Sequence, residues 1–478
     1  MPQDALLAQL LSSPQDEALR DLAYHYAPCI RFDTHEPFLP LAAGYTVFTQ
    51  DDPSPSYTKG RTIHLAPSGE APAATAIEYA IWWDWDIGHL YELEHVWVYI
   101  DERGQVVRGE ASWHGDYRDM RHNGALAVED GHLVVYSEPG KHAFAPTPQW
   151  FRQRWAEMKR LPTTDLAGLG GVLVARYFRG QIQKTPLADR LVCTYLTHHG
   201  FEPAWEFGQR FCFERDQLVP WPALRAWIPR RVNAWIDQLS HEIPPSEFRF
   251  LRVGHRGARA HAPDNTLVGF RKAAELGADM VELDVQRTAD GQLAVVHDAA
   301  LRDGQGRLWP VQRSTMAQLR QIDLGDGQRV PSLSEALQVC ADEQLGAYIE
   351  VKDGAVVPDM VRVLRDDGWF DRCLIGSFRP DWLAEVKALA PETTTSVLFG
   401  SIHVDPVALA KSVDATYVHP CWERLAHPSE QLTPDWIARV RSAGLGIVIW
   451  HEERPDEIAA LCQLGVDAIC SDAPELLL

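Results

Sequence analysis

The residues best suited to chemistry lie in the second half of the chain. His255-Arg256, Glu282-x-Asp284, His297-Asp298 and Glu350-x-Lys352 each close or follow a short apolar run. On an extended strand, residues i and i+2 share a face, so Glu282 and Asp284 project together, as do Glu350 and Lys352. Three carboxylates on the inner face of a sheet repel one another and are costly to desolvate unless a positive charge stands among them. Hard oxygen ligands of this kind suit Mg²⁺ or Ca²⁺, with Mn²⁺ as a third candidate. Two imidazoles and two bases, Arg256 and Lys352, beside such a cation suit a phosphate ester. The bases and cation would neutralise phosphoryl oxygens while His255 and His297 move protons. A lone buried histidine is commonly structural and a Glu-x-Asp pair is commonly a solvated strand. Their joint occurrence at successive strand ends is what carries the reading.

The elements that must position these residues recur from Phe250 onward. Apolar runs stand at Leu251–Gly254, Met280–Val285, Ala347–Val351, Leu374–Ser377, Thr395–Phe399, Ala415–Val418, Gly446–Trp450 and Ala468–Cys470. Helical stretches such as Leu267–Leu276, Ser334–Glu343 and Pro380–Ala390 lie between them. Eight strand–helix alternations predict an α/β fold, a (β/α)8 TIM barrel, whose chemistry sits at the C-terminal ends of the strands. An open doubly wound sheet would show fewer strands and a glycine-rich first turn, which is not found.

Taken in order, these residues resemble the glycerophosphodiester phosphodiesterase family. The likeness is carried by His255-Arg256-Gly257, Pro263-Asp264-Asn265-Thr266, Gly277 to Val285, Asp290-Gly291 and Val296-His297-Asp298. It continues through Val330 to Leu337, Ile349 to Lys352, Gly376-Ser377-Phe378, Trp450 and Gly465 to Asp472. The resemblance implies that Glu282, Asp284 and Glu350 are divalent-metal ligands. It implies that His255 and His297 are the acid–base pair and that Arg256 and Lys352 hold the phosphate. A glycerol hydroxyl would attack phosphorus, and water would open the resulting cyclic phosphate. Either histidine could be the base. Two departures stand out: Asp264 replaces a family Glu, and His451-Glu452-Glu453 replaces the Thr-Val-Asn that follows the family's late Trp. Trp450, His451 and Glu452 are therefore expected to shape the substrate pocket. The expected substrate is a small phosphodiester or lysophospholipid-like molecule, and a homo-oligomer is compatible with the sequence. Stopping at the cyclic phosphate, as in the related phospholipase D toxins of spiders, is an alternative outcome. A lipid-headgroup or glycan-binding protein with a vestigial barrel is another.

Residues 1–240 have a different texture. Eleven of the 17 tryptophans precede residue 250, among aromatic and β-branched runs broken by turn residues. That predicts a mainly β, sandwich-like accessory domain. A helical tail from about Pro148 follows, clearest at Trp150–Met158 and Trp221–Ser240. Pro229 is expected to kink or split the last helix, which is read as docking the two domains. Residues 241–249 read as a linker and 250–478 as the barrel. Gly88-His89, Glu92 and Glu94 loosely resemble the heptapeptide of necrosis-inducing and vacuolar-sorting-associated β-sandwiches, with Asp84 or Asp86 and His114 or His142 as further candidate ligands. That resemblance implies a second divalent site.

The chain of 478 residues carries a net charge of −21, and both halves are acidic. A polyanion would meet a repulsive average field, which excludes a nucleic-acid partner. No apolar stretch is long enough to span a membrane. The first 30 residues lack a basic start and a long apolar core, so no secretory signal is read. The eight scattered cysteines read as reduced thiols, and the expected location is cytoplasmic.

Overall fold

The structure, a computed structural model, describes residues 2–478. The chain forms two compact units: Met1–Lys184 with Leu191–Ile243, and Thr185–Arg190 with Pro244–Leu478.

In the first unit, Thr75–Trp85 and His89–Ile100 pair antiparallel from Thr75↔Ile100 to Trp85↔Leu90. Thr75–Trp85 is buried along nearly its whole length, which explains why it reads as a continuous apolar run rather than an alternation. The pair forms the centre of a seven-stranded sheet that also holds Ala42–Phe48, Val106–Trp113 and Asp116–Asp119. A five-stranded sheet around Cys29–Phe32 and His132–Ser137 lies against it. The two sheets approach so closely that a Cβ on Gly109 would sit 2.6 Å from Leu133. The unit is sheet-rich, as the sequence suggests. It also contains the helices Pro2–Leu11 and Glu17–His25, which the sequence reading did not anticipate.

Two expectations are corrected here. Trp221–Glu242 is a single helix that continues through Pro229 and is not split there. Its apolar face packs within the first unit: Trp221 and Leu224 cover Gly44, and the Arg231 guanidinium grips Asp84. It is therefore a core helix of that unit. The cysteines are not all reduced, since Cys29 and Cys212 form a disulfide. They face each other across two antiparallel strands, Cys29–Phe32 and Gln209–Cys212, with Cα atoms 4.5 Å apart. A separation of 183 residues hid that register from the sequence. Disulfides persist in oxidising compartments, so cysteine usage no longer supports a cytoplasmic location.

The second unit is a closed barrel of eight parallel strands. In chain order they are Leu251–Gly254, Met280–Arg287, Gly346–Val351, Cys373–Ser377, Thr395–Phe399, Tyr417–Pro420, Gly446–Ile449 and Ala468–Ser471. The first strand pairs with both the second and the eighth, which closes the sheet. All eight expected runs become strands, the sixth displaced two residues toward the C-terminus. Helices begin where side chains can satisfy free N–H groups: Thr266 caps Leu267–Glu275, and Ser332 with Glu335 forms a reciprocal box on Leu333–Asp342. The main core lies between strands and helices. A smaller cluster including Val253, Met280, Tyr348, Leu398 and Cys470 belongs to the barrel strands themselves.

Candidate active site

The first strand ends in Gly254-His255-Arg256-Gly257, and both glycines are required by close approach. A Cβ at Gly254 would lie 2.2 Å from the Gly257 carbonyl, and one at Gly257 would lie 2.7 Å from Gly269. Gly257 has φ +95°, which glycine adopts freely; Arg256 adopts φ +49°, uncommon for a side-chain-bearing residue. In this turn the Arg256 N–H donates to Glu282 Oε2 at 2.9 Å. The Arg256 guanidinium reaches Asp264 at 3.1 Å and Asp284 at 3.5 Å. Asp264, the shorter replacement for Glu, thus still pairs with the arginine.

Glu282, Asp284 and Glu350 converge from the adjacent second and third strands. One oxygen from each can be chosen so that all lie within 4.8 Å of one another, and all three residues are buried. Glu282 Oε1, Asp284 Oδ1 and Glu350 Oε2 are enclosed without a hydrogen-bond donor. Burial, reinforced by Asp284 and Glu350, pushes the Glu282 carboxyl well above the usual carboxylate range. Burial and the Asp284 charge push Glu350 up to about 7. Lys352 partly offsets the crowding, with Nζ 2.7 Å from Glu350 and 3.3 Å from Asp284. Enclosed carboxylate oxygens of this number, none accepting a hydrogen bond, fit a hard divalent cation.

His255 is buried, and its two ring nitrogens have different surroundings. Nδ1 lies 2.5 Å from Asp472 Oδ1, while Nε2 stands 3.9 Å from Glu282 without a hydrogen-bond partner. Burial lowers the affinity of this imidazole for a proton, and the Asp472 bond only partly restores it. The Trp450 ring meets His255 edge-on at 4.7 Å, and the His451 ring stacks flat on it, also at 4.7 Å. His297 is partly exposed, and its Nδ1 pairs with Asp298 at 2.8 Å. It is not part of the compact groups formed by the others. Gln286 steadies its loop, with Nε2 within 3.0 Å of the carbonyl oxygens of Val296, His297 and Asp298.

Glu452 is removed from the expected pocket. It is buried and forked onto the Arg454 guanidinium, which also holds the Leu425 and Ala426 carbonyls. The carboxylate at the mouth is Glu453, which accepts from the Asp472 N–H at 2.7 Å, from Ser471 Oγ at 3.2 Å and from His451 Nδ1. Sequence reasoning also missed the work of Asn265. It donates to Asp284 Oδ2 at 2.8 Å and accepts from the Asp284 N–H at 3.1 Å. Asn265 and Asp472 both lie inside the motif runs that carry the resemblance, which was the available signal.

In the first unit, Asp86, His89 and Glu92 do come together. The Lys141 ammonium already occupies this group, 2.5 Å from Asp86. Against the pull of burial, the Lys141 charge holds Asp86 below its usual range, while burial raises Glu92, and raises Glu94 to about 7. Asp84 is committed to Arg231 and Trp82, and His114 to Glu138.

Residues 255–476 match the model of the Glycerophosphoryl diester phosphodiesterase family. A glycerophosphodiester phosphodiesterase of Caldanaerobacter subterraneus subsp. tengcongensis is 29% identical over 243 residues, covering 48% of this chain and 96% of its own. That of Bacillus subtilis is 26% identical, covering 48% of this chain and 85% of its own. The crystal structure of a glycerophosphodiester phosphodiesterase from Agrobacterium tumefaciens is 26% identical, covering 48% and 99% of the two chains with a TM-score of 0.43. The barrel half of the chain belongs to the glycerophosphoryl diester phosphodiesterase family of hydrolases.

Proposed function

We propose that the barrel hydrolyses a glycerophosphodiester-like substrate to a phosphomonoester and an alcohol, with a divalent cation held by Glu282, Asp284 and Glu350. The carrying observation is the pairing of three enclosed carboxylate oxygens, none accepting a hydrogen bond and only Asp284 Oδ1 approached by a cation, Lys352, with an imidazole whose Nε2 has no hydrogen-bond partner. Mg²⁺, Ca²⁺ or Mn²⁺ would supply Lewis-acid neutralisation of the phosphoryl oxygens when bound. Arg256 and Lys352 hold the phosphate as fixed positive charges.

His255 is read as the base. Asp472 fixes its ring through Nδ1, and burial favours its neutral form. Nε2 takes the proton from the glycerol hydroxyl next to the phosphoester as that oxygen attacks phosphorus. The bond from phosphorus to the departing alcohol breaks, and His297 gives that oxygen its proton. Water then opens the cyclic phosphate with the two roles exchanged. The first unit is read as an accessory domain whose acidic cluster is neutralised by Lys141. The Cys29–Cys212 bond supports an oxidising compartment over the cytoplasm.

The test is turnover of glycerophosphocholine after EDTA treatment and after addition of Mg²⁺, Ca²⁺ or Mn²⁺, with products identified by ³¹P NMR. Restoration by metal and loss in both His255→Ala and Glu282→Gln is expected. Activity that survives both substitutions would overturn the assignment, and cyclic phosphate that persists would mark a lyase.

A further inference from the structure

A second imidazole, His451, is held against His255, and the proposed chemistry gives it no role. The two rings stack with centroids 4.7 Å apart and 17° between their planes. Each is fixed through Nδ1: His255 by Asp472 at 2.5 Å, and His451 by Glu453 at 3.1 Å. The two acids are themselves joined, since the Asp472 N–H donates to Glu453 at 2.7 Å. A nitrogen of each ring and an oxygen of Asp472 lie within 4.8 Å of one another.

Anchoring both Nδ1 atoms on one joined pair of acids turns both Nε2 atoms to the opposite edge of the stack. His255 Nε2 is enclosed and has no hydrogen-bond partner. His451 makes its hydrogen bonds through Nδ1 alone among the described residues, and its side chain keeps 21% of its surface open. With its hydrogen on Nδ1, toward Glu453, the neutral His451 ring presents Nε2 as a bare acceptor.

The mechanism sets what lies along that edge. The carboxylate cluster that would hold the cation stands on the Glu282 side of His255, with Glu282 3.9 Å from Nε2. The departing alcohol leaves toward His297. What remains beside His255, on the His451 side, is the glycerol half whose hydroxyl attacks. Its terminal hydroxyl is borne on the carbon next to the one that carries the attacking oxygen.

We propose that His451 Nε2 receives the terminal hydroxyl of the glycerol half, so that this barrel selects diesters in which that hydroxyl is free over those in which it is missing or acylated. Neighbouring hydroxyls suit two acceptors on stacked rings: one gives its hydrogen to His255 and the other to His451. A protonated His451 would donate to the same oxygen, so a free hydroxyl serves both states of the ring. An acylated oxygen has no hydrogen to give. This inference rests on the assignment of His255 as the base, and it decides between the small and the lysophospholipid-like substrates expected from the sequence.

The test compares kcat/KM for glycerophosphocholine and for 2-hydroxypropyl phosphocholine, which keeps the attacking hydroxyl and lacks only the terminal one. The metal-loaded full chain and His451→Phe are assayed; phenylalanine keeps a stacked ring and removes the acceptor. The unaltered chain is expected to prefer glycerophosphocholine about tenfold, the worth of one hydrogen bond, and the ratio should fall toward unity in His451→Phe. A ring that only positions His255 would lower both substrates together and leave the ratio unchanged. His451→Leu serves the same comparison if the phenylalanine variant does not fold. Equal turnover of the two substrates by the unaltered chain, or an unchanged ratio in the folded variant, overturns the subsite and leaves the hydrolase assignment standing. Absence of metal-dependent turnover of either substrate by the unaltered chain would instead reject that assignment, and the subsite with it.

Discussion

His255 Nδ1 lies 2.5 Å from Asp472 Oδ1, although 217 residues separate the two in sequence. The contact exists because the first and eighth barrel strands are hydrogen-bonded neighbours, with Gly254 paired to Ser471. It fixes which ring nitrogen faces the carboxylate cluster. Second partners of this kind orient an imidazole and set its tautomer.

Replacing Asp472 with Asn removes the acceptor and permits the wrong tautomer of His255. We expect kcat to fall about a hundredfold or more while metal affinity stays within about twofold. Steady-state kinetics with a metal titration check this, and an unchanged kcat would show that His255 needs no such partner.

Asn265 clamps Asp284 through both its amide oxygen and its amide nitrogen. Asn265→Ala should weaken divalent-cation affinity about 10- to 100-fold, the usual cost of losing a partner of a metal ligand. Isothermal titration with Mn²⁺ or Ca²⁺ reads the effect directly, before any turnover.

The metal-free barrel should lose stability as pH rises. Glu350 titrates at about 7 in the folded chain against an ordinary value of 4.5, so between those values the native state holds a proton that the unfolded state has released. Stability from this group is present below pH 4.5 and lost as pH climbs through 7, at most about 3 kcal/mol. Added metal should reverse the trend above pH 7, because it replaces the proton. Melting temperatures at pH 5 to 8 with EDTA and with Mg²⁺ decide the matter. A metal-free melting temperature that rises over that range would contradict the assignment.

Glu452 and Glu453 should behave oppositely. Glu452→Gln weakens the Arg454 fork and should cost about 1–2 kcal/mol of stability without reordering substrates. Glu453→Gln loosens both His451 and the Asp472 backbone and should lower kcat/KM with little change in melting temperature. Identical behaviour of the two variants would contradict their separate placements.

Breaking Cys29–Cys212 by Cys212→Ser should destabilise the first unit by about 2–4 kcal/mol and leave metal binding by the barrel intact. Differential scanning calorimetry with and without reductant resolves the unit that responds.

Much of the second unit was legible in the linear chain because its information is local. A parallel strand buried on both faces is a short, continuous apolar run, and eight such runs alternating with capped helices leave few topologies open. Glu282 and Asp284 could be assigned to one face from strand period alone, as could Glu350 and Lys352. The first unit was harder to read. Thr75–Trp85 is buried along both faces and shows no alternation, and the second sheet depends on pairing of Cys29–Phe32 with His132–Ser137 and Gln209–Cys212, far along the chain. That Trp221–Glu242 continues through Pro229 was not legible, because burial of Trp221, Leu224 and Trp227 is a tertiary effect.

The sequence by itself therefore determined the barrel, its family and the types of group at its strand ends, all of which follow from residue spacing and order. Tertiary structure alone decided the partners: Asp472 on His255, Asn265 on Asp284, Cys29 on Cys212, and Glu453 rather than Glu452 at the mouth. The reason is geometric. Strand period dictates which face a side chain takes, but the residue opposite it depends on barrel closure and loop course. Glu452 and Glu453 are adjacent in the chain, yet one is locked onto Arg454 and the other turns to His451 and the Asp472 backbone.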